Sequence, residues 1–259
     1  MITLTSETGH VRVAIEGPLA RVTLTNPGKF NAMSRAMWRE LKTAFVDLQA
    51  RSDVRCVVVV GEGGHFCAGG DIAEYPDFRF DEAALHGFHE DDVWGGLGAM
   101  LACDVPVLAQ IEGNCMGAGV EIASCCDIRV AANGARFGAP IAKLGFPMAP
   151  REAALVAREA GAATAREMLL EAAVFDATEM KARGFLNTVL PDGTLTTAVL
   201  ARAQRICTLS PQAARLNKQA LRATQSAAPV TAEGAYRYAD SAEHREGIAA
   251  FLAKRPAVF

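Results

Sequence analysis

The chain has 259 residues, with 26 Lys and Arg against 29 Asp and Glu and a formal net charge of −3. Hydrophobic residues make up 51% and charged residues only 21%, which is apolar enough to build a core and too lightly charged to keep a chain unfolded. A disordered scaffold is excluded, and the length allows one large domain or two small ones.

The charge is uneven. From Leu195 to Phe259 there are nine Lys/Arg and four Asp/Glu, so residues 1–194 carry −8. The basic end has neither a Lys/Arg block nor interleaved aromatics, which argues against nucleic acid and for a polyanionic small molecule. Seven cysteines (Cys56, Cys67, Cys103, Cys115, Cys125, Cys126, Cys207) are scattered through apolar stretches without a CxxC pair. They read as buried thiols in a reducing compartment, with no disulfide framework and no metal site. The longest charge-free run, Val93–Cys103, falls short of the roughly 18 residues of a membrane span, and the opening MITLTSETGH lacks a basic head and an apolar signal core. A cytoplasmic protein without a membrane segment is expected.

In chain order, two alternating stretches, Val11–Glu16 and Ala20–Thr25, predict a hairpin across a Gly-Pro turn. Ser34 is a candidate N-cap for a helix whose apolar face is Met37, Leu41, Phe45 and Leu48. Arg55–Gly61 reads as a buried strand. The glycine-rich loop Gly61–Gly70 leads to a mixed helical segment over Asp81–Ala102, then a strand at Pro106–Ile111 runs into Gly113–Gly119 and a helix holding Glu121. Another strand is predicted at Asp127–Ala131, followed by helices over Arg151–Glu159 and Ala163–Glu171. The capping box Asp176–Glu179 opens a further helix, and Phe185–Leu190 is the last strand. From Leu195 the pattern is helical, punctuated by Pro211 and Pro229. The reading is an α/β core over 1–194 and a helical region over 195–259.

Two segments that each follow a buried strand carry the chemistry, GGHFCAGGDI (Gly63–Ile72) and EGNCMGAGVEIASCCDIRVA (Glu112–Ala131). Small residues there let a ligand approach the backbone, and a strand-to-helix turn leaves N–H groups free. Neither is a P-loop, because no Gly-Lys-Ser/Thr closes it. With NPGKFNAMS (Asn26–Ser34), RFGAPIAKLGF (Arg136–Phe146), SPQAARLNKQALR and the tail SAEHREGIAAFLAKRPAVF in this order, practically the whole chain resembles the crotonase (enoyl-CoA hydratase/isomerase) superfamily.

The resemblance implies an α/β fold, a spiral of ββα turns with a C-terminal helical region that forms a homotrimer or a dimer of trimers. It also implies acyl-CoA thioester substrates, with coenzyme A as part of the substrate and no separate cofactor. Two backbone N–H groups would stabilise a thioester enolate, and their counterparts here are read as Ala68 and Ala118. Glu121, three residues beyond Ala118 and on the same helix face, would be the acid/base group. Lys29, Ala32, Gly69, Gly70, Asp71, Ile72, Gly117, Ile141 and Lys254 would border the substrate, and Phe251 would contribute from a neighbouring subunit.

One departure matters for the reaction. Hydratases of this family place a second glutamate directly after the proline of FGxPE, and here that position is Ile141. Glu121 is left as the single acid/base residue, so hydratase/isomerase-like chemistry competes with a C–C cleaving hydratase-lyase, with thioester or C–C hydrolysis and with a non-catalytic acyl-CoA binder. Glu152, His86 and His89 are possible substitutes for the missing carboxylate, although each is expected at the surface. Cys125 and Cys126 are expected to be inert core thiols, since no electropositive neighbour is legible.

Overall fold

The computed structural model describes residues 9–224 and 236–259. Residues 1–8 of the opening segment and the break expected at Pro229 lie outside them. Strands β1 (His10–Glu16) and β2 (Leu19–Thr25) form the predicted antiparallel hairpin, with Val13 opposite Val22. Helix α1 (Arg35–Ala50) starts where the sequence places it, because the Ser34 hydroxyl accepts the Met37 N–H at 3.2 Å. Its predicted apolar face is buried, together with Trp38 and Ala44. Ser34→Ala should therefore lower unfolding stability by about 1 kcal/mol in a urea titration.

Strand β3 (Cys56–Gly61) is buried along its whole length. Helix α2 (Glu82–Gly87) continues through a π-helical turn at Phe88–Val93 into α3 (Trp94–Ala102). Next come β4 (Val107–Ile111), β5 (Asn114–Met116), α4 (Ala118–Ser124), β6 (Ile128–Ala132) and β7 (Arg136–Gly138). The chain goes on through α5 (Pro150–Ala160), α6 (Ala162–Leu170), β8 (Val174–Asp176), α7 (Ala177–Ala182) and β9 (Thr188–Leu190). Helices α8 (Leu195–Cys207), α9 (Pro211–Ala223) and α10 (Ala242–Leu252) close it. The capping box is present at α7, where Asp176 and Glu179 exchange side-chain-to-backbone bonds.

The large sheet has the order β1-β2-β3-β4-β6-β9, and all its pairs after the hairpin are parallel. A small sheet has the order β5-β7-β8, and single parallel bridges link Met33 to Gly70 and Cys67 to Cys115. Successive turns thus place a strand in the large sheet, a short extended segment at the small one and then helix, as in β4, β5, α4. This is the expected ββα spiral. The three-residue strands of the small sheet are absent from the sequence reading because a segment that short has no period to detect.

The helical region that starts at Leu195 does not stand apart from the sheet. Helix α8 packs on the large sheet and closes a second core, in which Leu195, Val199 and Ala203 meet Cys56, Val58, Leu108 and Val130. The basic surplus of this end is partly spent in docking α9. Lys218 Nζ lies 2.7 Å from Asp127 and an Arg222 guanidinium nitrogen 2.7 Å from Asp104.

Candidate active site

The two glycine-rich segments meet backbone to backbone. Cys67 N–H donates to Asn114 O and Met116 N–H to Cys67 O, both at 2.9 Å. A Cβ at Gly119 would strike the Cys67 carbonyl, and Gly117 has φ of 48° and ψ of −111°, which only glycine adopts readily. On the other side, Met33 N–H donates to Gly69 O and Asp71 N–H to Met33 O, both at 2.8 Å. A parallel bridge uses the groups flanking the central residue, so Gly70 turns its own N–H away from Met33, and this N–H has no hydrogen-bond partner among the described residues.

The donor pair read from the sequence is corrected at this point. Ala68 N–H is already committed to Phe30 O at 3.0 Å and has nothing left to offer an anion. Gly70 and Ala118 each keep an N–H without a backbone partner among the described residues, the latter in the first turn of α4, where no intrahelical acceptor exists. Both residues line one cavity of about 280 Å³.

Trp38, Tyr75, Phe88, Val93, Ile141 and Phe146 give that cavity a mainly apolar wall. Glu121 opens into it from α4. It is 9% exposed, and its carboxyl makes no hydrogen bond within the described residues. Burial, and secondarily the charge of Glu152, push its pKa up to about 8.

Glu152 overturns a second expectation. It is 2% exposed in the first turn of α5, and its carboxylate lies 3.1 Å from His89 Nδ1. His89 sits in the π-helical turn and reaches the cavity wall, whereas His86 is exposed as expected. The turn is anchored by buried Asp92, which pairs with Arg35 Nε at 2.7 Å and Arg39 Nε at 2.6 Å on α1.

Of the residues singled out in the sequence, Ala68, Gly69, Gly70, Ile72, Gly117, Ala118, Glu121 and Ile141 line this one cavity. Lys29, Ala32, Asp71, Phe251 and Lys254 do not. Asp71 caps the turn Ile72–Asp77 by accepting Ala73 N–H, and it holds Lys29 Nζ at 2.6 Å. Phe251 and Lys254 are exposed near the end of the chain. Burial pushes the Cys67 and Cys126 thiols up to about 12, and that of Cys125 well above its ordinary value. No group of three metal-ligating side chains occurs among the described residues, and no described helix is long and apolar enough to cross a membrane. Sequence reasoning misses Trp38, Tyr75 and Arg79, which reach the cavity from segments with no motif of their own, and Phe146, which closes the RFGAPIAKLGF motif without being singled out.

The sequence profile of the enoyl-CoA hydratase/isomerase family matches residues 14–259. An enoyl-CoA hydratase/carnithine racemase from Magnetospirillum magneticum superposes with a TM-score of 0.93 and 37% identity, covering 96% of this chain and 94% of that one. A mevalonyl-coenzyme A hydratase of Beauveria bassiana is 31% identical over 252 residues, 92% of this chain and 90% of its own length. A short-chain-enoyl-CoA hydratase of Clostridium acetobutylicum is 30% identical over 216 residues, 83% of this chain and 82% of its own.

Proposed function

Because the chain belongs to the enoyl-CoA hydratase/isomerase family, we propose that it catalyses proton transfer at the α-carbon of an acyl-CoA thioester, with addition of water to a 2-enoyl-CoA as the reaction its cavity suits best. The observation that carries this reading is the position of Glu121, a desolvated acid in the same apolar cavity as the unpartnered N–H groups of Gly70 and Ala118.

Those two N–H groups receive the thioester carbonyl oxygen. Fixed dipoles in a dry cavity stabilise charge developing there without reorganising. As water adds to the β-carbon, the π electrons move onto that oxygen and form the enolate. With its pKa near 8, Glu121 is largely protonated at neutral pH and delivers its proton to the α-carbon. His89, oriented by Glu152, accepts the proton released by the attacking water. The pair supplies the second proton-handling group that Ile141 lacks, which favours hydration over isomerisation through one carboxylate. Coenzyme A enters as part of the substrate, and no other cofactor is invoked. Apolar side chains exposed on and beyond α10, among them Phe251 at 81% and Leu252 at 75%, support assembly as a homotrimer or a dimer of trimers.

The test is hydration of crotonyl-CoA in ¹⁸O-labelled water. Label should enter the β-hydroxyl, and His89→Asn should lower hydration by about 10²-fold while α-proton exchange of butyryl-CoA through Glu121 persists. Equal loss of both in a folded His89→Asn protein would assign His89 to positioning and remove the second proton carrier.

A further inference from the structure

Arg79 stands on the wall of the same cavity, and no acid among the described residues pairs with it. Its Cζ lies 3.7 Å from the centroid of the Phe146 ring and 4.4 Å from that of Tyr75, so the guanidinium sits in the corner formed by two rings set 70° to each other. Other arginines around the cavity are paired, Arg35 and Arg39 with Asp92 and Arg151 with Glu90. No ion pair or side-chain hydrogen bond is made by the Arg79 guanidinium among the described residues, and Tyr75 is the charged or chargeable group acting on it.

That arrangement costs free energy. Burial pushes the Arg79 pKa down, yet a guanidinium does not give up its proton in a protein. Cation–π contact offsets part of the cost but leaves the planar fork of N–H donors unused. Tyr75 links this cation to the reacting end of the cavity, since it feels both Arg79 and Glu121 and its hydroxyl abuts Gly70. An anion held by Arg79 would therefore share the cavity with a thioester held at Gly70 and Ala118.

Resting on the acyl-CoA reading above, we propose that Arg79 binds a carboxylate at the far end of the acyl group, so that the substrates are 2-enoyl-CoA thioesters bearing a terminal carboxylate. A carboxylate matches the guanidinium fork with two parallel hydrogen bonds. A phosphate of coenzyme A is the other anion that could reach a guanidinium, and its contribution separates in the test.

The experiment compares trans-2-hexenedioyl-CoA with trans-2-hexenoyl-CoA, which differ only in the terminal carboxylate, by kcat/KM for hydration, and the saturated adipyl-CoA with hexanoyl-CoA by α-proton exchange. The wild-type protein should prefer the dicarboxylic thioester at least tenfold. Arg79→Met should lower the ratio of the two kcat/KM values by on the order of 100-fold. Arg79→Lys, which keeps the charge and loses the fork, should restore part of it. Affinity for free coenzyme A should be the same in all three proteins. A ratio unmoved by Arg79→Met, or an equal loss for both thioesters and for free coenzyme A, would overturn the proposal. Calorimetric binding of adipyl-CoA against hexanoyl-CoA reads the same ratio without turnover. Carboxylate preference without exchange on any thioester would sustain the Arg79 site and sink the α-proton chemistry, and the reverse result would do the opposite.

Discussion

Glu121→Gln should lower turnover of an enoyl-CoA thioester by about 10³-fold and at the same time make the folded protein more stable in alkaline buffer. The two effects share one cause. The folded state holds the Glu121 pKa near 8, against an ordinary value of 4.5, so the fold prefers the neutral carboxyl. Stability from this preference is complete below pH 4.5 and is lost progressively as pH rises towards 8, where the buried group must ionise. Glutamine has the shape of the protonated acid and cannot ionise. Its advantage in a denaturant titration should be absent near pH 4.5 and reach on the order of 5 kcal/mol above pH 8. A glutamate held ionised by a partner would give the opposite sign, with the variant less stable, and a buried but non-catalytic one would give the same gain in stability with no loss of turnover.

Ala118→Pro should lower kcat by 10²- to 10³-fold, on the order of 3 kcal/mol in the barrier, by removing one enolate-stabilising donor. Proline suits this position structurally. Ala118 is the first residue of α4, where the N–H has no intrahelical acceptor and the φ of proline is already that of a helix. Gly117 before it has φ of 48° and ψ of −111°, outside the α region that a following proline forbids. Circular dichroism and the midpoint of thermal unfolding should therefore stay close to wild type while turnover collapses. Full activity in a folded Ala118→Pro protein would remove Ala118 N–H from the mechanism.

The legible parts of the molecule were those governed by local rules. Helix α1 has its cap and apolar face where Ser34, Met37, Leu41, Phe45 and Leu48 place them. The unbroken valines of β3 announce a strand covered on both faces, and Asp176 with Glu179 marks the start of α7. Long-range pairing decides the rest. Ala68 reads as a donor until the chain folds back and Phe30 O takes its N–H. Glu152 reads as a surface acid in an alanine-rich helix, because the histidine that meets it is 63 residues earlier. Arg79 has no local signal, since what distinguishes it is the pair of rings beside it and the lack of an ion-pair partner among the described residues.

Exchange of the α-protons of butyryl-CoA with deuterated solvent, followed by NMR in wild-type and Glu121→Gln proteins, isolates the step on which the whole account depends. Because exchange needs the ionised carboxyl, its rate should rise about tenfold per pH unit and level off near 8, and Glu121→Gln should abolish it while leaving thioester affinity within about threefold of wild type. Exchange that persists in Glu121→Gln, or its absence from a wild-type protein that binds the thioester tightly, would contradict the assignment of Glu121 as the group that moves the α-proton.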